Sequence, residues 1–176
     1  MKKIVLPALA ALALVSAPVA HAQRAELQVG YGGYTQMDAT NMHDGWHNVN
    51  NAWGAATIGF NFRVTPKLWI GPSYTLSTTS TKGGPECSHI AYHVIMLNGR
   101  YNYYQNSIVK LYAHVGLGAD ISYMQPLHGD NYTKGYFAFQ ISPLGAHVDL
   151  TRQFGIFGEI GYGAQGLVQV GCRVAI

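Results

Sequence analysis

From Arg24 onward the chain alternates apolar and polar residues in stretches of about ten, separated by turn residues. Period-2 patterning of this length is the mark of β-strands with one apolar face. Eight such stretches can be read. The first is Arg24 to Thr35, where Leu27, Val29 and Tyr31 alternate with Glu26, Gln28 and Gly30. In the second, Ala52 to Val64, Ile58, Phe60, Phe62 and Val64 lie opposite Trp53, Thr57, Asn61 and Arg63. The third, Leu68 to Thr78, sets Leu68, Ile70, Tyr74 and Leu76 against Trp69, Ser73, Thr75 and Ser77. The fourth, His89 to Tyr101, is apolar on both parities between Val94 and Leu97, so its faces stay open.

The fifth, Ile108 to Tyr123, has the clearest contrast: Val109, Leu111, Ala113, Val115, Leu117, Ala119 and Ile121 against Lys110, Tyr112, His114, Asp120 and Ser122. In the sixth, Gly135 to Leu150, the apolar phase slips at Pro143, which predicts a bulge, one of the few places where a sheet accepts proline. The seventh and eighth are Phe154 to Tyr162 and Leu167 to Ile176. Short connections follow the second, fourth and sixth strands. Longer polar ones cover Gln36 to Asn51, Thr79 to Ser88 and Met124 to Lys134. Short turns at one rim and long loops at the other predict an all-β, eight-stranded antiparallel transmembrane β-barrel.

Composition says which solvent the apolar face meets. Charged residues are only 11% of the chain and hydrophobic ones 48%, with 21 Gly and 12 Tyr. An ordinary soluble domain carries roughly 25% charged residues. After Gln23 no run of 18 apolar residues could form a membrane helix. The outer surface therefore faces lipid. In hydrocarbon, unpaired backbone groups cost several kcal/mol each, so the sheet must close. Many Tyr and Trp residues fall toward strand ends (among them Tyr31, Trp69, Tyr92, Tyr123 and Tyr162), as an interfacial girdle would require. A soluble lipocalin-like barrel is the inverted alternative, with the apolar face inside.

The N-terminus supplies the route. Lys2 and Lys3 precede the apolar run Ile4 to Val15, and Ala20-His21-Ala22 forms a small-x-small cleavage site before Gln23. This layout predicts a signal peptide over 1–22 and a barrel domain over 23–176. Losing Lys2 and Lys3 reduces 11 basic residues to 9 against 8 acids, a charge of +1 that gives no reason to expect nucleic acid. Cys87 falls in a loop and Cys172 on an outward parity, so both are expected to be unpaired.

Gln140-Ile141-Ser142-Pro143-Leu144-Gly145, then Phe157-Gly158-Glu159-Ile160-Gly161-Tyr162-Gly163 and Gly166-Leu167-Val168, resemble the small outer-membrane β-barrel proteins of Bacteroidetes. These are similar in architecture to the OmpX- and OmpA-like eight-stranded barrels. The resemblance implies outer-membrane lipid and lipopolysaccharide as surroundings and the barrel-assembly machinery as a partner during insertion, with no catalytic residues to carry over. One departure is the ending Arg173-Val174-Ala175-Ile176, where such barrels usually close on an aromatic residue.

Candidate chemistry lies inside. By parity Glu26, Arg63, Lys110, Asp120, Glu159 and Arg173 point into the barrel. Buried charges must pair, so these six are expected to form an ion-pair network. As a gate it would switch; as a plug it would hold register, and the plug is the reading adopted. His43, Asp44 and His47 share the first loop, but no metal site is expected from an Asn- and Gly-rich segment. Ser88, His89, His93 and Glu86 invite comparison with lipid A deacylases built into barrels. Ser88 has the parity opposite to both histidines, which argues for satisfied interior histidines instead. The expected protein is non-enzymatic, without cofactor, and acts structurally or through its loops; a lipid-modifying enzyme at the rim of the fourth strand is the alternative. Eight strands leave room for side chains and no wide pore.

Overall fold

The computed structural model describes residues 25–40, 49–50, 54–81, 89–126 and 129–176. The proposed signal peptide, Trp53, Glu86, Cys87, Ser88 and the His43, Asp44, His47 group lie outside the described residues. Eight strands form the wall: β1 (Ala25–Gly33), β2 (Ala55–Arg63), β3 (Leu68–Thr81), β4 (His89–Gln105), β5 (Val109–Gln125), β6 (Tyr132–Asp149), β7 (Phe154–Gly163) and β8 (Val168–Ala175). Each pairs antiparallel with its sequence neighbours, and β1 pairs with β8 (Gly30 opposite Gly171), so the barrel is closed. The pair Val49–Asn50 adds a short rung to the top of β3.

The sides of the wall settle the choice of solvent. Val115, Leu117, Phe137, Ile95 and Leu97 are exposed on the outside, whereas Thr57, Ser122, Gln140, Glu159 and Arg173 are buried inside. The inverted, lipocalin-like alternative is thereby excluded: a water-soluble barrel would bury the first set. The fourth strand, undecided from its pattern, turns Ile90, Tyr92, Val94, Met96, Asn98, Arg100 and Asn102 inward. Two expectations need correcting. His89 and His93 are not interior histidines; both have the outward parity, and His93 Nδ1 lies 2.6 Å from the hydroxyl of outward-facing Tyr74. Nor do Trp69 and Tyr92 belong to an outer girdle, since both are buried inside. Tyr31, Tyr123 and Tyr162 do face outward.

The bulge at Pro143 is present. Ile141 pairs with Tyr162 and Leu144 with Ile160, one residue out of step. A second bulge sits at Tyr103, between the pairs of Asn102 and Tyr104. The β4, β5 and β6 strands run to 17, 17 and 18 residues. A tilted membrane strand needs only about 9–11. Part of what reads as loop in Thr79 to Ser88 and Met124 to Lys134 is therefore ladder, because the polar residues there alternate without interrupting backbone pairing.

The upper mouth is furnished from the first long connection. Thr35 and Asp38 form a reciprocal cap (Thr35 N to Asp38 Oδ2, 2.7 Å; Asp38 N to Thr35 Oγ1, 3.3 Å) that starts the one-turn helix α1, Gln36–Thr40. This helix lowers Met37 onto Ile90, Tyr92, Val94, Met96 and Met124. Gln36 donates through Nε2 to Phe137 O (3.0 Å) and accepts from Phe139 N (3.2 Å), occupying the edge of β6 above the end of β7. A paired edge is closed to other chains.

Candidate functional site in the barrel interior

Below the apolar mouth the large inward side chains are polar or aromatic among the described residues, and period-2 alternation stacks them in tiers. Near the terminal rim, Glu26 of β1 receives both Nη atoms of Arg100 from β4, with Nη2 to Oε2 at 2.9 Å. Planar guanidinium and carboxylate meet here in the two-bond geometry that makes such pairs strong. Asn61 adds a bond to the same carboxylate at 3.2 Å. One tier up, Arg173 of β8 donates through Nη2 to Tyr112 Oη (2.8 Å) and to Glu159 Oε1 (3.2 Å), and through Nε to Gln28 Oε1 (3.2 Å). Its Nε is also 3.7 Å from Glu26, which links the tiers.

Glu159 is the hub of the upper tier. Tyr112 Oη donates to its Oε1 at 2.8 Å, and His114 Nδ1 lies 2.8 Å from its Oε2. The far side of the His114 ring meets Asn98 Oδ1 at 3.0 Å, and Asn98 Nδ2 donates to Ser73 Oγ at 2.7 Å. Gln165, from the tight connection between β7 and β8, closes over them by donating to Ser73 Oγ at 3.2 Å. Aromatic faces fill the gaps: Arg100 lies over Trp69 (5.0 Å) and Tyr112 (5.4 Å), Arg173 over Tyr112 (4.7 Å) and Phe157 (4.1 Å). Two arginines, two glutamates and a histidine thus share one continuous web across five strands. It is a solid plug.

Of the six charges anticipated inside, the structure brings together Glu26, Glu159 and Arg173. Lys110 does not join them; it pairs at the terminal rim with Asp149 (Nζ to Oδ2, 2.6 Å). Arg63 is exposed at the same rim, 5.9 Å over Trp69. Asp120 is buried far above, bonded to Ser122 at 2.9 Å. The single six-membered network expected from parity is therefore corrected to a three-member core with three separate outliers, because parity fixes the face but not the height. Arg100 and His147 are additional interior groups. Asn98, Arg100 and Asn102, alternating at the end of β4, were the signal for Arg100; His147 lies beyond the phase slip at Pro143. Cys172 is a free thiol on the outer side.

The family model described as outer membrane protein beta-barrel domain matches residues 8–167. Among solved structures, Neisserial surface protein A is similar at 14% identity, with a TM-score of 0.56, over 86% of this chain and 96% of that one. Ail, the attachment invasion locus protein of Yersinia pestis, solved in complex with the heparin analogue sucrose octasulfate, shares 12% identity over 85% of this chain and 92% of its own, with a TM-score of 0.48. No curated protein matches the sequence.

Proposed function

Because the chain belongs to the outer membrane protein beta-barrel domain family and is an outer-membrane protein, we propose that it serves as a non-enzymatic, plugged barrel that presents its long loops at the cell surface. The observation that carries this reading is the Glu26, Arg100, Glu159, Arg173 web. It occupies the lumen, so the useful surface is at the ends rather than through the middle. The connections spanning 34–54, 82–88 and 126–131 share the rim opposite the termini, which is the outer side in barrels of this type. Residues 1–22 would direct export, on the strength of Lys2, Lys3 and the Ala20-His21-Ala22 site. Lipopolysaccharide and lipid would surround the apolar wall, and the barrel-assembly machinery would insert it. Kinship with the Bacteroidetes barrels is supported by the motifs of β6 to β8.

The test compares cells carrying the intact barrel with cells carrying one whose three long loops are trimmed to turns. Adhesion to immobilised glycans and matrix proteins and survival in detergent are the readouts, with conductance of the purified barrel in a planar bilayer alongside. Loss of adhesion or of envelope integrity without conductance is expected. Unchanged cells together with a steady open conductance would sink the proposal. For the absence of catalysis, mass spectrometry of lipid A from cells overproducing the protein should show no species that disappears in Ser88→Ala or His93→Ala.

A further inference from the structure

Beneath the plug, on the rim that carries the short turns and both ends of the barrel, lies a cavity of about 130 Å³. The buried Arg100 and Arg173 line its floor, and Arg63, Lys110 and Arg152, which are more exposed, stand around its mouth. Five cations line it against two carboxylates, Glu26 and Asp149. Both carboxylates are engaged already, Glu26 by Arg100 and Asp149 by Lys110. The lining is therefore net positive.

The floor also holds unspent donors. Arg100 uses both Nη atoms on Glu26, and its Nε is buried without a hydrogen-bond partner among the described residues. Arg173 uses Nε and Nη2, and its Nη1 is likewise buried and unpartnered. Both side chains are more than nine-tenths buried, at 5% and 2% exposure. A buried charged donor left without an acceptor is costly, so two of them on arginines that line one small cationic cavity favour acceptor oxygens nearby. A tetrahedral oxyanion offers several acceptors at once and matches the fork geometry of arginine.

We propose that this periplasm-facing vestibule binds a small oxyanion of the size and charge of phosphate, held by Arg100 and Arg173 at its floor and drawn in by Arg63, Lys110 and Arg152 at its mouth. A volume of about 130 Å³ has room for a single phosphate group. The phosphate can be free or can be the headgroup ester of an inner-leaflet lipid reaching over the rim; the chemistry of recognition is the same.

The test uses the full mature barrel refolded in a sugar-headgroup detergent, which contains no phosphate. Sodium phosphate is titrated against sodium chloride at equal ionic strength and fixed pH, following the side-chain Nε–H resonance of Arg100, identified by its loss in Arg100→Lys. A saturable shift with phosphate is expected. In Arg63→Gln/Arg152→Gln, which changes only exposed rim residues and should leave folding intact, the affinity should fall about tenfold as the steering charges are lost. No shift, a shift that chloride reproduces, or saturable binding unchanged in the double variant would each overturn the proposal. Repeating the titration in phosphatidylglycerol bilayer discs separates the sources. A resonance already shifted before any phosphate is added identifies the lipid headgroup, and one that still responds identifies the free anion; either supports the site.

Discussion

Arg173 Nη2 donates to Glu159 Oε1 at 3.2 Å, although Arg173 stands opposite Gly155 and Glu159 opposite Gln169. The arginine climbs two pleats along β7 to reach its partner, passing over the Phe157 ring at 4.1 Å. A side chain stretched in this way is fixed at both ends. Glu159→Gln should destabilise the barrel by about 3 kcal/mol, since it removes the one carboxylate that Arg173, Tyr112 and His114 share. Adding Arg173→Met should recover part of that loss, with a coupling of about 1–3 kcal/mol in urea unfolding from lipid vesicles. Strictly additive losses would show that the two residues act independently.

The outer wall offers a second test. Val115 is 54% exposed at mid-height of β5, while Ser122 is fully buried near the mouth beside Asp120. Val115→Arg should cost about 2–4 kcal/mol of insertion energy. Ser122→Arg should cost less, because the new guanidinium can pair with Asp120. Heat-modifiable mobility on a denaturing gel reads the folded fraction of each, and equal tolerance would mean that the outside does not face lipid.

Gly145 concerns packing. A Cβ at this position would run into the ring of Tyr112, which is completely buried and bridges Arg173 to Glu159. Gly145→Ala should cost about 1–3 kcal/mol through overpacking. At Gly33, where an added Cβ meets nothing within 4 Å, alanine should stay within about 0.5 kcal/mol. Equilibrium unfolding of the two variants side by side is the measurement.

The edge of β6 provides a fourth. With Gln36→Ala, Phe139 N–H loses its acceptor and should exchange with deuterium markedly faster, while amides of β1 and β8 keep their protection. Unchanged exchange at Phe139 would mean that the Gln36 bridge does not persist in solution.

The faces of β1, β2, β3 and β5 were legible because polar and apolar residues alternate there without interruption. On β5, Tyr112 and His114 share a parity opposite to Val115 and Leu117, and the structure buries the first pair and exposes the second. β4 was illegible in its middle for a physical reason: the upper lumen is itself apolar. Val94 and Met96 pack inward against Met37 and Met124 while Ile95 and Leu97 meet lipid, so no contrast exists to read. Partner choice was harder still. Lys110 and Glu159 share a face, but Lys110 lies near the turn that opens β5 and finds Asp149, its near neighbour at the end of the paired strand β6. Height along a tilted strand emerges only from the register of all eight.

The bulge at Pro143 bears on how the length of this chain can change. Ser142 points inward, Pro143 and Leu144 both outward, and Gly145 inward again. Excising Pro143 alone would leave every later residue of β6 on its present side, since the bulge sets two consecutive residues outward and one of them suffices. The same holds for Tyr103 on β4. Excising Gly118, by contrast, would turn the remainder of β5 inside out, sending Asp120 to the lipid and Ile121 to the lumen. Single-codon insertions and deletions in the wall are thus confined to two points, one on β4 and one on β6, and it is there that related sequences of different strand length should be found to diverge.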